Sequence, residues 1–336
     1  MNDTLNPPPE ARARSIRSWH LPLLVNACLM TGLAVFSAVA VFIDDRTLLG
    51  ESVWVKPLKF GVAFAAYAAT LAWLYGRLTK WRRTAWWTGS VFAVVGVVEV
   101  GVIAFAAALG TYSHFNQSDD PANRFVQETF QYGVPGIFMT GMLLAILVLT
   151  QRMGDKAQTN ALRWGLGLSV LGMASAYLIV SVSAEFDERT VLDAGGNEVP
   201  LSGSHGVGDP DGGGMFLTGW STTGGDMRVA HFVGLHGIQV MILAAVAIAY
   251  LSRKTRLFRV ESVRNGIVHS LALGYLGVFA TLVWQAMEGE AFVDPSAGTI
   301  AALTVSGAVA VLGSLIAVAR GQAVLKKEEP LPELIS

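Results

Sequence analysis

Eight stretches of the chain are apolar nearly throughout and reach the length of about 20 residues that a helix needs to cross a bilayer. They fall roughly at 21–43, 57–76, 85–110, 132–150, 162–183, 229–251, 265–287 and 298–320. Polar residues collect between them, mostly in short connections. A backbone in lipid must satisfy its own hydrogen bonds, so each stretch reads as a helix. The pattern predicts an all-α bundle of eight transmembrane helices. Four blocks follow: a tail over 1–18, a first four-helix half over 19–150, a second over 160–320, and a tail over 321–336. The second half contains the one long connection, 184–228, which is rich in Gly and Asp.

Composition agrees. Only 15% of residues are charged, where soluble domains carry about a quarter. The net charge of −1 hides a segregation: 18 of the 24 Lys and Arg lie in alternate connections and at the two ends. The other six are Arg46, Lys56, Lys59, Arg124, Arg189 and Arg228. Short cytoplasmic loops keep positive charge, so both termini are expected inside, in a bacterial inner membrane. The first apolar run is too long for a cleaved signal peptide. Arg12, Arg14 and Arg17 precede it and set topology or touch anionic lipid. The chain has one cysteine, Cys28, which rules out intrachain disulfides and cysteine metal clusters.

The halves share short patterns. Asp44-Asp45-Arg46-Thr47-Leu48-Leu49 follows span 1, and Asp187-Glu188-Arg189-Thr190-Val191-Leu192 follows span 5. Span 2 opens Lys56-Pro57-Leu58-Lys59-Phe60, and span 6 opens Arg228-Val229-Ala230-His231-Phe232. A 4+4 parallel repeat about an axis along the membrane normal is one explanation; chance matching is the other. The composition of the 184–228 loop predicts a flexible, solvated segment. Its Asp193, Glu198, Asp209, Asp211 and Asp226 match no calcium-loop spacing.

Chemistry gathers where charge violates the topology. Lys56 and Lys59 open span 2 at the outer face, and Arg228 and His231 open span 6. A helix N-terminus is already positive, so a negative partner is expected. It is either a protein carboxylate (Glu99, Glu128 or Asp226) or an anionic ligand held by helix N-termini and side chains together. Glu99 is the one acidic residue deep in a span, and intramembrane carboxylates often mark function. His114 follows span 3 at the outer face. His231 and His236 lie roughly 3 and 10 Å into span 6, from the helical rise. Their five-residue spacing points them about 140° apart on a helix, which disfavours a metal pair. His20, His205 and His269 carry no expectation of function.

There is no P-loop, dinucleotide fingerprint, nucleophile elbow or HExxH motif, and nothing suggests nucleic acid as a partner. The Lys56–Phe60 and Arg228–His236 segments resemble uncharacterised bacterial polytopic membrane proteins, a resemblance that implies no function. Two four-helix halves also resemble the layout of haem A synthases, but the histidine pattern here does not reproduce theirs and no residue carries over. The expectation is an outward polar pocket lined by Lys56, Lys59, Glu99, His114, Glu128, Arg228, His231 and His236. It would bind or transport a small or lipid-linked anion, with proton exchange through Glu99 and a histidine. An intramembrane oxidoreductase with one haem or divalent metal near the outer face is the alternative.

Overall fold

The computed structural model describes residues 18–183, 187–208, 211 and 213–328. Arg12, Arg14 and Arg17, and Asp209 of the long loop, lie outside the described residues. Eight α-helices follow one another: α1 (Leu21–Ile43), α2 (Val55–Tyr75), α3 (Arg82–Leu109), α4 (Pro121–Leu149), α5 (Lys156–Ser183), α6 (Met227–Lys254), α7 (Glu261–Met287) and α8 (Ala297–Glu328). Every one is long and apolar enough to cross a membrane, and together they point to a multi-pass membrane protein. Large apolar side chains such as Phe36, Phe42, Val305, Leu312 and Ile316 are exposed on α1 and α8, as a lipid-facing belt requires.

The two helices that outrun their apolar stretches furthest, α4 and α8, do so for local reasons. α4 begins at Pro121 rather than near 132, because Asp120 caps it by accepting from the Asn123 amide and Pro121 suits the first turn. α8 continues to Glu328 rather than ending near 320. Lys326 and Lys327 occupy its last turn, where cations offset the negative end of the helix dipole.

Within the first half α1 packs on α2 and α3, α2 on α3, and α3 on α4. Within the second α5 packs on α6 and α7, α6 on α7, and α7 on α8. The pairings match, helix for helix. Contacts of α4 with α5, and of α2 with α6, join the halves. A core cluster crosses that join through Leu71, Phe92, Leu144, Val148, Leu166 and Ile238.

Apolar lipid supplies no hydrophobic drive between helices, so close approach depends on small residues. The α5–α6 contact shows this. A Cβ on Gly172 would overlap the backbone of Gly234 and Leu235, and one on Gly234 would meet Gly172 and stand 2.8 Å from the Phe279 ring. One turn on, a Cβ on Gly165 would come 2.9 Å from the Ile238 Cα. The two helices touch backbone to backbone.

The long connection departs from the flexible segment expected of its composition. Strands β3 (Arg189–Leu192) and β4 (Glu198–Leu201) form an antiparallel hairpin. The Asp193 carboxylate closes its turn by accepting from the Gly195 and Asn197 amides, both at 2.8 Å. Val199 and Leu201 are buried. The hairpin is tied to the end of α3 and the segment after it: Ala194 N–H donates to Gly110 O, Gln117 N–H to Pro200 O and Ser202 N–H to Phe115 O. Arg189 pairs with Asp211 at 2.5 Å. Gly196 and Gly219 serve as left-handed turn positions, with φ of 79° and 63°. Glycine here is turn chemistry rather than slack.

Gly234→Ala should therefore lower the melting temperature, since overpacking costs about 1–3 kcal/mol. Gly167→Ala, where a Cβ meets nothing within 4 Å, should leave it unchanged or raise it. Thermal unfolding in detergent checks the contrast.

Candidate functional site

The site lies at the end of the bundle that carries the long connection. α1 ends at Ile43, and the chain turns through a small hairpin, Thr47–Leu48 (β1) on Glu51–Ser52 (β2), into α2. Asp44 anchors the turn. It pairs with Arg46 at 2.7 Å and accepts from the Trp54 indole at 2.7 Å. These bonds, Arg46 first and Trp54 second, hold its carboxyl well below the usual carboxylate range. Trp54 is also the N-cap of α2 and offers no side-chain cap to the helix. α4 and α6, in contrast, are capped by Asp120 and Asp226.

Three cations meet at this end. Lys59 pairs with Glu51 at 3.1 Å and donates to Thr218 O at 2.8 Å. Arg228 pairs with Asp226 at 2.6 Å and donates to Gly219 O at 2.5 Å. The Asp226 side chain is fully buried. It also accepts from the Ser221 amide at 2.8 Å and the Arg228 amide at 2.9 Å. Two successive carbonyls of one turn, Thr218 and Gly219, thus receive a cation from each half. Position 219 favours glycine: its φ is 63°, and a Cβ would stand 2.7 Å from Glu51 Oε1 and 3.1 Å from Lys59 Nζ.

Lys56, the third cation, has no carboxylate within ion-pair distance among the described residues. Its Nζ meets His114 Nδ1 at 3.1 Å, and Ser113 Oγ meets the same nitrogen at 3.0 Å. His114 lies against Phe130, ring centroids 4.3 Å apart, and against His205 at 5.8 Å. Burial, then the charges of Lys56 and Arg228, push His114 well below the ordinary histidine value. His205 shifts the same way, through burial first, then Arg228, Lys56, His114 and Lys59. Both imidazoles are neutral at neutral pH. With the Lys56 ammonium as donor, His114 accepts on Nδ1 and carries its proton on Nε2. Phe115, between His114 and the buried Asn116, has a φ of 63°. A bulky residue there is strained, and the strand bonds at Phe115 O and Gln117 N–H hold it in place.

Other expected site residues fall elsewhere. Glu99 is buried on α3 with its Oε1 lacking a hydrogen-bond partner. It packs on α4 at Gly133, where a Cβ would overlap its carboxyl. No hydrogen bond or ion pair links it to the histidines. Its helix α3 packs mainly on α1, α2 and α4, whereas α6, which carries His231 and His236, packs mainly on α5 and α7. Glu128 is exposed on α4 and neutralises none of the three cations. His231 turns its Nδ1 to Gly172 O at 2.7 Å, joining α6 to α5 at the glycine contact. His236 is half-buried and makes no side-chain hydrogen bond among the described residues. Nearby, Gln239 reaches Thr70 of α2 at 3.4 Å.

Glu51 and His205 join the site without having been anticipated. Glu51 sits outside every apolar stretch, eight positions before Lys59. His205 belongs to the loop whose composition implied flexibility; the antiparallel pairing of Gly206–Val207 with Gly225–Asp226 brings it in, with its carbonyl accepting from the Met227 amide at 3.2 Å. No protein-family model, curated protein or solved structure matches the chain.

Asp226→Asn leaves Arg228 without its buried counter-charge and leaves one acceptor oxygen where the Ser221 and Arg228 amides now have two. Breaking a buried pair costs about 3–5 kcal/mol, and the partial exposure of Arg228 puts the loss at the lower end. Adding Arg228→Gln should restore part of the lost melting temperature. An Asp226→Asn variant as stable as the parent would show that the pair carries no weight.

Proposed function

We propose that this multi-pass membrane protein binds and transports an anionic solute, small or lipid-linked, whose charged group seats beside Lys56. The observation that carries this reading is the charge balance of the site. Glu51 pairs with Lys59 and Asp226 with Arg228, whereas Lys56, which feels Glu51 only at longer range, has a histidine as its hydrogen-bond partner and no carboxylate within ion-pair distance among the described residues. The α2 N-terminus beside it lacks a side-chain cap. A helix N-terminus with an unmatched cation is a ready anion site.

The histidines give the site a link to protons. An anion arriving near His114 and His205 favours their charged forms, so binding takes up protons and tightens as pH falls. The groups that set this balance are Lys56, Lys59, Arg228, Glu51 and Asp226. The distribution of Lys and Arg supports an orientation with this end outside a bacterial inner membrane. The matched helix pairings, together with an Arg-Thr hairpin after the first helix of each half, support descent from a 4+4 repeat. A metal or haem held by His114 and His205 is the second reading, favoured by the 5.8 Å approach of their rings.

Inorganic phosphate and a soluble prenyl phosphate, titrated onto purified protein and followed by calorimetry, test the anion reading. Affinity should fall at least about tenfold in Lys56→Gln, a loss of about 1.4 kcal/mol. With sulfate, whose charge is constant over the range, affinity should rise as pH drops below about 6.5, the usual histidine value, toward the depressed range of His114 and His205, and His114→Gln should flatten that dependence. Equal binding by Lys56→Gln and the parent would displace the site. A Soret band removed by His114→Gln would favour the haem reading instead.

A further inference from the structure

At the opposite end of the bundle, the connections α2–α3 and α4–α5 meet beside the start of α5. An open cleft between them is lined by Thr79, Lys80, Thr150, Gln151, Arg152 and Arg163. Its floor is fixed by buried Gln151. The Gln151 Oε1 accepts from the Thr79 amide at 2.8 Å, the Thr79 hydroxyl at 3.2 Å and the Lys80 amide at 3.1 Å. Its Nε2 donates to Leu147 O at 2.9 Å. One side chain thus holds both connections in register.

Three cations line this cleft, Lys80 and Arg152 exposed and Arg163 half-buried, and none has a carboxylate within ion-pair distance among the described residues. The acid nearest in sequence, Asp155, is turned away. It pairs with Arg264 at 3.2 Å and accepts from the Gln158 amide at 2.8 Å. Arg163 reaches in from α5, donating from Nη2 to Leu149 O at 3.0 Å, while its Nε is buried and lacks a hydrogen-bond partner. A buried donor left unpaired costs about 1–3 kcal/mol. Topology alone asks for basic residues at this end, but it does not ask for a guanidinium to be drawn into a polar cleft with one donor unused.

We infer that this cleft binds a phosphate group. A guanidinium fork matches phosphate oxygens, and basic pockets between membrane helices hold anionic headgroups. The phosphate comes either from an anionic phospholipid, with its acyl chains along α4 and α5, or from a free anion. The site is separate from the one around Lys56 and does not depend on that reading.

The test compares melting temperatures of the full chain in nanodiscs of phosphatidylcholine alone, of phosphatidylcholine with phosphatidylglycerol, and of phosphatidylcholine with inorganic phosphate at matched ionic strength. One variant carries Lys80→Gln, Arg152→Gln and Arg163→Gln. A control carries Arg320→Gln, Lys326→Gln and Lys327→Gln, which removes the same charge from α8. Wild type and control should gain several degrees from one of the two phosphate sources, and the cleft variant should gain none. A gain from phosphatidylglycerol alone identifies a lipid headgroup; a gain from inorganic phosphate identifies a free anion. If the triple variant does not fold, Lys80→Gln with Arg152→Gln keeps the Arg163 bond to Leu149 and should still lose most of the gain. No gain in wild type, or an equal gain in the cleft variants, would overturn the assignment.

Discussion

A charge at the mouth of an apolar bundle has to be answered, and the pair Arg228–Asp226 does this for the second half of the molecule. Asp226 is fully enclosed and spends its oxygens on the arginine, on the first turn of α6 and on the Ser221 amide. That one carboxylate caps a helix, neutralises a cation and folds the loop. Lys59 with Glu51 does similar work for the first half. Because both cations also donate to the turn at Thr218 and Gly219, the loop bridges the two halves and brings His205 over His114. Lys56 is the charge this arrangement leaves over.

The helices were legible because lipid imposes a simple rule: a span is apolar over its whole length and makes its own hydrogen bonds. The ends were less legible. The first turns of α4 are polar, and their helicity comes from the Asp120 cap and Pro121, which a count of apolar residues does not register. The long loop was misjudged for a related reason. Glycine raises the entropy of an open chain, yet at a turn it is the residue that permits positive φ. Gly196 and Gly219 act in the second way.

The site was half legible. Lys56, Lys59 and Arg228 announced themselves as cations at the wrong end of helices, and His114 by its place just after α3. Their partners were obscure, since the pairing of Lys59 with Glu51 depends on a two-residue hairpin that composition does not encode. His231, expected to line the pocket, bonds Gly172 O through Nδ1, where glycine lets α5 and α6 touch. Glu99 was found by being out of place. Gly133 makes room for it, and its Oε1 has no hydrogen-bond partner among the described residues.

Cations paired with carboxylates hold the halves together, and Lys56, which has no such pair among the described residues, is the proposed point of contact with the ligand. The most direct measurement is an anomalous-scattering map of crystals grown in lipid and soaked in selenate. The account predicts a selenium peak within hydrogen-bond reach of Lys56 Nζ and His114, absent in Lys56→Gln crystals. Selenium peaks elsewhere on the protein with none at Lys56, or a Lys56 already engaged by a protein carboxylate, would contradict it.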